Sequence, residues 1–202
     1  MSTTVDTSQG AAAVNTFTQD ELGWAPWLDP LPEAALTDRH RAGLVDASRA
    51  KSPYFMLLAH DPEVLEARTR ADKDIFYNPD GGLPRAEREL TATATSRHNG
   101  CIFCASVHSR FASTHSRRRE DVQRLLDEGV GASLDERWDA VTAAAVALTD
   151  TPVVFGEAEI TRLRSAGLDD FEIADVISAS AFFNWANRLM LSLGEPVPAK
   201  AA

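Results

Sequence analysis

The spacing of hydrophobic and polar positions predicts helices along most of the chain. Apolar side chains recur every three to four positions, which is the period of one face of an α-helix. Capping residues and prolines mark the starts of several of these segments, and no run of alternating positions predicts a strand. The pattern therefore predicts an all-α fold, with helices at about 33–50, 62–76, 84–97, 120–128, 135–148, 157–165 and 169–193.

The first thirty residues differ from the rest in composition. They are rich in Ser, Thr, Gly and Ala, and they end in the proline-punctuated run WAPWLDPLP, which contains Trp24 and Trp27. Such a segment predicts a flexible leader followed by an extended arm over residues 1–30, with the arm lying on another part of the protein. Residues 31–202 are then predicted to form a single helical domain.

Two of the predicted helices share a sequence pattern. RELTATATS at 88–96 and DAVTAAAVA at 139–147 both contain T-A-x-A, at an offset of 51 positions. The two segments are either equivalent helices of a duplicated helical unit or two buried helices that look alike because both are rich in Ala and Thr. In both cases their small side chains predict close approach of neighbouring helices, as in the centre of a bundle.

Composition and charge argue against several classes of partner. Apolar residues make up 44% of the 202 residues and charged residues 25%, which are the proportions of a globular chain that can bury a core. The net charge of −10 opposes binding to nucleic acid, which relies on Lys and Arg. No stretch reaches the roughly 18 apolar residues that span a bilayer, and the N-terminus lacks the features of a secretory signal. We therefore expect a cytoplasmic protein that binds neither nucleic acid nor membrane.

The candidate chemistry lies in the stretch NGCIFCASVH. Cys101 and Cys104 are the only cysteines of the chain, and His108 follows the second cysteine by four positions. Asn99 and Gly100 are turn and capping residues, so Cys101 is predicted to lie in the first turn of a helix. At about 100° per residue, the two cysteines and the histidine project from one face of that helix, within a sector of roughly 60°.

A close cysteine pair in a reducing cytoplasm is expected to be redox-active or to bind a metal. Positions 101 and 108 are separated by about 10 Å of helical rise, which hinders their binding to one zinc ion. Zinc would need further ligands, for which the candidates are His40, His60, His98 and His115. A redox pair needs only two sulfurs within bonding reach and a group that accepts a proton, so the spacing favours the redox-active pair.

The residues alone leave open which cysteine is the stronger nucleophile. Cys101 lies nearest to the helix N-terminus, whose dipole stabilises a thiolate, whereas Cys104 lies one turn before His108, which can accept its proton. A further base can come from the preceding helix, where Glu87 and Glu89 lie near Ala and Thr residues. A carboxyl group among small apolar side chains is expected to hold its proton.

The spacing E-x11-C-x2-C-x3-H, from Glu89 through Cys101 and Cys104 to His108, resembles the active-site signature of AhpD-like alkylhydroperoxidases in the carboxymuconolactone decarboxylase superfamily. Residues 148–189 resemble the C-terminal half of the peroxidase-related branch, so the resemblance covers most of residues 30–195. It implies an AhpD-like helical bundle and assembly into homo-oligomers, often trimers or hexamers. It also implies thiol-dependent reduction of hydroperoxides, with no metal and no other cofactor.

The resemblance implies a role for each residue of the signature. Cys104 attacks the peroxide, Cys101 resolves the product, His108 accepts the proton of Cys104, and Glu89 is the base behind the pair. Phe103 stands where well-studied AhpD proteins carry a histidine, so part of their proton relay is absent here. The implied partners are a hydroperoxide and a dithiol reductant of the lipoyl or thioredoxin type. The namesake decarboxylases match less well because they lack the cysteine pair.

Two hypotheses from other classes remain beside the peroxidase. The dithiol could control the assembly of a redox-sensing helical protein without turnover, or the chain could be a zinc-binding helical module. A homo-oligomer is also expected from the segment FFNWANRLMLSLG at 182–194, whose aromatic and leucine side chains crowd one helical face. We expect this helix and the arm with Trp24 and Trp27 to form part of a subunit interface, where aromatic residues are enriched.

Overall fold

The computed structural model describes residues 14–199, so residues 1–13 of the predicted leader lie outside the described residues. The all-α prediction is confirmed, since helices form most of this part of the chain and the sheet has two short strands. The elements in chain order are β1 (Leu22–Pro26), α1 (Asp38–Leu44), α2 (Pro53–Leu58), α3 (Pro62–Tyr77), α4 (Arg85–His98), α5 (Ile102–Ser116), α6 (Arg119–Glu128), α7 (Glu136–Thr149), α8 (Glu157–Ser165), α9 (Asp170–Leu193) and β2 (Gly194–Pro198).

Capping residues explain why most predicted helices begin where they do. The side chains of Asp61, Asp135 and Asp169 each accept a hydrogen bond from the backbone N–H three residues further on. Each of these bonds satisfies a donor that has no partner within its helix, at an end where a negative charge is also favourable. The helices that start at Pro62, Glu136 and Asp170 therefore agree with their predictions to within one residue at each end.

The prediction of one helix over 33–50 is wrong. This region contains only a 3-10 turn at Glu33–Ala35, the two-turn helix α1, and a second 3-10 turn at Ala47–Lys51. Thr37 and His40 form a capping box that starts α1, and Val45, with φ of 63°, ends it in a conformation that a helix cannot continue. The polar side chains that cap these turns compete locally with a continuous helix.

The arm forms a two-stranded antiparallel ribbon that the alternation of positions does not predict. β1 pairs with β2, which follows α9 directly, with Trp24 opposite Pro196. Proline and glycine occupy much of both strands and hide the strand pattern. A Cβ at Gly194 would collide with the Ala25 carbonyl and the Trp24 indole, so the close approach of the strands requires glycine there.

Helix α4 runs through the centre of the fold. All its residues from position 87 to 96 are buried, and it packs against α5, α7 and α9. The central location of the two helices rich in small residues is confirmed. Both α4 and α7 have 14 residues, and they start at positions 85 and 136, at the same offset as the sequence pattern. The duplication itself stays a prediction.

The two tryptophans of the arm have different surroundings. Trp24 is buried and packs edge-to-face on Tyr54 at 5.5 Å, so its surface is covered within the same chain. Trp27 is 60% exposed, and Trp185 on α9 is 40% exposed. The homo-oligomer stays a prediction, and Trp27 and Trp185 rather than Trp24 are available for it. In residues 14–199, no helix combines the length and the apolar character needed to cross a membrane.

Candidate functional site

The site lies at the corner between α4 and α5. Helix α4 ends at His98, and Gly100 has φ of 77°, which turns the chain sharply and favours a residue without a Cβ. The backbone N–H of Cys101 then donates to the Ser96 carbonyl at 2.9 Å. Cys101 is the N-cap of α5 rather than a residue of its first turn, so the predicted position is shifted by one residue.

Both cysteines are free thiols, and both are buried, with Cys101 2% and Cys104 7% exposed. The Cys104 thiol and backbone N–H hydrogen-bond to the Cys101 sulfur and outweigh its burial, so the pKa of Cys101 is lowered. The Cys101 sulfur and burial raise the pKa of Cys104. When the pair loses its first proton, the negative charge is therefore favoured on Cys101, at the positive end of α5.

Asn187 of α9 is the polar group that contacts both sulfurs. Its Oδ1 accepts from Asn99 at 3.1 Å and its Nδ2 donates to Ser96 Oγ at 3.0 Å, which fixes the orientation of the amide. Hydrogen bonds from Asn187 lower the pKa of both Cys101 and Cys104, although for Cys104 the neighbouring sulfur and burial have the larger effect. Asn187 is not among the site residues that the sequence predicts, although an Asn on an apolar helix face is a usable signal.

Glu89 and His108 form a hydrogen-bonded pair between α4 and α5. Glu89 Oε2 lies 2.5 Å from His108 Nδ1, and Arg85 Nε donates to Glu89 Oε1 at 2.6 Å. The His108 ring is held between Phe183, at 4.1 Å between centroids, and Phe76, at 5.4 Å. Because the carboxylate takes Nδ1–H, the other ring nitrogen, Nε2, can serve as a proton acceptor.

The expectation that the carboxyl group of Glu89 holds its proton is wrong. Burial raises its pKa, but the charge and hydrogen bond of His108, together with those of Arg85, outweigh burial and lower the pKa overall. Glu89 is therefore ionised at neutral pH and orients His108. Glu87, the other candidate, points away from the cysteines and forms a bidentate pair with Arg137, whose Nη2 also reaches Glu172.

Cys104, His108 and Glu89 line one cavity of about 320 Å³, which lies among α2, α3, α4, α5 and α9. Most of its other walls are aromatic, and three arginines contribute polar groups. Cys101 lines a separate cleft of about 100 Å³ beside the β1–β2 ribbon. Phe103 and Met190 line both spaces and form the wall between them. The two sulfurs thus face different spaces.

The histidines considered as zinc ligands are engaged elsewhere. His40 bonds to Thr37, His60 to the Asp29 carbonyl and His98 to Asp150, while His115 stacks on Phe111. Across residues 14–199, no group of three or more His, Cys, Asp or Glu side chains could hold a metal ion. The zinc hypothesis therefore has no ligand set within the described part of the chain.

Comparisons with known proteins agree with the fold and with the superfamily that the sequence resembles. Residues 62–150 match the model of the carboxymuconolactone decarboxylase family. A comparison with curated protein sequences gives no match. An uncharacterized peroxidase-related protein with an alkylhydroperoxidase AhpD core, from Ralstonia eutropha JMP134, is 24% identical over 83% of this chain and 90% of that one, with a TM-score of 0.71.

Two further solved structures share the fold. An uncharacterized peroxidase-related protein from Silicibacter sp. TM1040 is 25% identical over 84% of this chain and 87% of that one, with a TM-score of 0.66. The debrominase Bmp8 is 17% identical over 82% of this chain and 89% of that one, with a TM-score of 0.66. Proteins with different named activities therefore share this helical bundle.

Proposed function

This chain belongs to the carboxymuconolactone decarboxylase superfamily and has the fold of its AhpD-like, peroxidase-related members, and from that premise we propose that it is a thiol-dependent peroxidase. Its substrates are organic hydroperoxides, and a dithiol of the lipoyl or thioredoxin type restores the enzyme. The peroxidase-related names of the neighbours at 24% and 25% identity agree with an antioxidant role.

One observation supports the proposal above the others: Cys104 shares a cavity with a histidine whose outer nitrogen is free to accept a proton. Glu89 holds His108 through Nδ1, and Cys104 lies one helical turn before His108 on the same wall. This is the arrangement of a nucleophile, a base and a residue that orients the base. Thiol peroxidase chemistry needs these three groups and a space for the peroxide.

The reaction proceeds in two steps. His108 Nε2 takes the proton of Cys104, the Cys104 thiolate attacks the terminal oxygen of the hydroperoxide, the O–O bond breaks, and the alcohol leaves with one proton. Cys104 is then a sulfenic acid. Cys101, whose pKa is lowered, attacks that sulfur as a thiolate, and a disulfide forms as hydroxide leaves and takes a proton from the solvent to become water. A dithiol donor reduces the disulfide and becomes oxidised.

The lowered pKa of Cys101 bears on both steps. In the first step, the hydrogen bond and charge of Cys101 raise the pKa of Cys104, so His108 has to remove the Cys104 proton. After Cys104 is oxidised, the hydrogen bond from Asn187 still lowers the pKa of Cys101 and favours the thiolate that attacks Cys104. The raised pKa of Cys104 makes the base essential, because an unassisted thiol would be neutral at pH 7.

Turnover separates this proposal from the redox sensor. The assay mixes the reduced protein with cumene hydroperoxide and a dithiol, either dihydrolipoamide or a thioredoxin system, and follows peroxide consumption under steady-state conditions. We expect many turnovers per protein chain, and loss of turnover in Cys104→Ser and Cys101→Ser. One equivalent of peroxide consumed, without further turnover with any dithiol, would favour the sensor.

A further inference from the structure

Two of the residues that line the cavity with Cys104 carry a buried polar atom without a hydrogen-bond partner. Among residues 14–199, the buried side-chain atoms that lack a hydrogen-bond partner are Tyr54 Oη, Arg68 Nε and Thr95 Oγ1. Tyr54 and Arg68, which are 6% and 8% exposed, both line the cavity. Because buried polar groups in folded proteins are almost always paired, two unpaired donors in one cavity indicate a ligand with acceptor atoms.

The Arg68 guanidinium is held firmly, and its positive charge is only partly balanced. Its Nη1 lies 3.3 Å from Asp72 Oδ2, but the same carboxylate oxygen also lies 3.4 Å from Arg49 Nη2. The guanidinium carbon lies 5.2 Å from the centroid of Phe182 and 5.4 Å from that of Phe55. Two cations thus share one carboxylate, and Arg68 keeps a free Nε–H and an excess of positive charge.

Tyr54 presents its hydroxyl group from α2. Trp24 and Phe55 pack edge-to-face on its ring at 5.5 Å and 5.3 Å between centroids, which fixes the ring. Burial raises the pKa of Tyr54 to about 12, so the group remains an O–H donor at neutral pH. Arg68, whose guanidinium carbon lies 5.9 Å from the centroid of the Tyr54 ring, lowers the pKa of both Tyr54 and Cys104, and the charge of Cys104 raises the pKa of Tyr54, so the three groups lie together at the cavity.

We infer that the Tyr54 O–H and the Arg68 Nε–H bind the two oxygens of an organic hydroperoxide and orient its O–O bond toward Cys104. This inference rests on the proposed function. The apolar body of the substrate occupies the aromatic part of the cavity, which includes Phe76, Phe111 and Phe183. Hydrogen peroxide would satisfy the two donors but leave this aromatic space unfilled, so the inferred substrate class is a hydroperoxide with a bulky aryl or alkyl group.

The two donors also act on the bond that breaks. As Cys104 Sγ bonds to the terminal oxygen, the O–O electron pair moves to the other oxygen, which becomes an alkoxide. Tyr54 gives its proton to this oxygen, since an alkoxide is the stronger base, and Arg68 stabilises the negative charge while it forms. The tyrosinate recovers a proton from His108, which took one from Cys104. The sum is one thiol and one hydroperoxide converted to one sulfenic acid and one alcohol.

The test measures the first oxidation of Cys104 in a rapid-mixing experiment without reductant. Reduced protein is mixed with cumene hydroperoxide or with hydrogen peroxide, and the change in tryptophan fluorescence gives the second-order rate constant. In Tyr54→Phe and Arg68→Lys we expect the constant for cumene hydroperoxide to fall by about 10- to 100-fold, because each variant loses one hydrogen bond to a developing charge. Wild-type protein should react faster with cumene hydroperoxide than with hydrogen peroxide.

Matched variants test whether these losses are specific. Thr114→Val removes the hydroxyl of an exposed threonine of α5, and Arg70→Lys changes an exposed arginine of the same helix as Arg68. Both controls should react at the wild-type rate. Iodoacetamide, which has no peroxide oxygen, should alkylate the thiols of Tyr54→Phe and wild type equally. Equal slowing with both reagents would mean that Tyr54 acts only on the thiols, and the inference would be overturned.

Binding of the product alcohol, 2-phenyl-2-propanol, gives a readout that does not depend on turnover. We expect it to bind wild-type protein, with shifts of cavity resonances in NMR spectra, and to bind Tyr54→Phe about tenfold more weakly, because one hydrogen bond is lost. Oxidation of wild type combined with unchanged rates in both variants would overturn this inference and leave the proposed function intact. A wild-type protein that reduces no hydroperoxide would overturn both.

Discussion

Glu89 Oε2 lies 2.5 Å from His108 Nδ1, and this contact joins the central helix to the helix that carries the cysteines. The two residues are 19 positions apart in the chain, and the sharp turn at Gly100 brings them together. An ionised Glu89 fixes the proton of His108 on Nδ1. The outer nitrogen is then an acceptor on the side of the cavity that Cys104 lines, and the predictions below test that arrangement.

Mass spectrometry after one equivalent of hydroperoxide can test which cysteine attacks the peroxide and which one resolves the sulfenic acid. We expect Cys104→Ser to show no sulfenic acid, and Cys101→Ser to react once and stop as a sulfenic acid on Cys104, since no internal thiol can resolve it. Dimedone trapping followed by peptide mapping identifies the modified residue. A sulfenic acid on Cys101 in the Cys104→Ser protein, formed at the wild-type rate, would reverse the assignment.

Removal of the His108 side chain should slow the oxidation of Cys104 most at neutral pH. In His108→Ala we expect a fall of about 100-fold or more in the rate of Cys104 oxidation at pH 7. The loss should shrink as the pH rises toward and beyond the usual thiol value of 9.0, because Cys104 has a raised pKa and ionises without help only in alkali. His115→Ala, which changes an exposed histidine of the same helix, should match wild type across this range.

Glu89 should stabilise the protein in a pH-dependent way. Its folded pKa lies below its usual value of 4.5, so its contribution is complete above that value and is lost as the pH falls through the folded pKa. We expect the free energy of unfolding of Glu89→Gln to be lower by about 3 kcal/mol at pH 7, because a buried ion pair loses one partner. Urea unfolding from pH 7 to pH 3 should show the difference shrinking below about pH 4.5.

Glu87→Gln is the control variant that separates an effect of Glu89→Gln on the reaction from its effect on stability. It makes the same change two residues earlier on α4 and breaks the contact with Arg137, so it also destabilises the protein. It should nevertheless oxidise with hydroperoxide at the wild-type rate, whereas Glu89→Gln should be slower. Equal rates for the two variants would show that Glu89 contributes only to stability.

Asn187 should control the reactivity of both thiols. The hydrogen bonds of Asn187 lower the pKa of Cys101 and of Cys104, so Asn187→Ala should raise both pKa values. Alkylation of the thiols by iodoacetamide at pH 7 should then be slower by about 3- to 10-fold. Asn184→Ala removes a neighbouring side-chain amide whose Oδ1 accepts hydrogen bonds from Asn99 and Arg188, and this variant should be alkylated at the wild-type rate. An unchanged pH profile of alkylation in Asn187→Ala would refute this role.

The predicted homo-oligomer can be measured directly. Multi-angle light scattering at micromolar concentration should give a mass larger than that of one chain of 21.9 kDa. Trp27→Ser and Trp185→Ser should lower the mass if these exposed aromatic side chains lie in the interface, whereas the buried Trp24 should affect folding instead. A wild-type monomer would contradict the prediction.

The parts of the fold that follow from local signals could be predicted from the sequence. Helices α3, α7 and α9 begin at Asp caps, and such caps act through backbone groups only three residues away. The region 33–50 was predicted wrongly because Val45 ends α1 in a conformation that no sequence period reveals. The ribbon of β1 and β2 depends on pairing across about 170 positions, between strands rich in Pro and Gly.

In the candidate site, too, the sequence predicts the residues that lie close together in the chain and misses those that come from distant helices. The prediction of the site was based on the spacing of four residues that lie within 20 positions of one another, namely Glu89, Cys101, Cys104 and His108. Tyr54, Arg68 and Asn187 reach the same place from other helices, and only tertiary packing brings them there. The protonation of Glu89 was predicted wrongly because its burial was anticipated and its contacts with Arg85 and His108 were not. Charge partners, rather than burial alone, determine the state of a buried acid.

The wall of Phe103 and Met190 between the two sulfurs has a consequence for kinetics. If peroxide enters on the Cys104 side and the dithiol attacks Cys101 from the ribbon side, the oxidising and reducing partners have separate entrances. Attack on the Cys101 sulfur would release Cys104 as the leaving thiolate, next to the base that first ionised it. A molecule lodged in the larger cavity would then compete with peroxide but leave reduction of the disulfide unhindered, and the enzyme would accumulate in its reduced form.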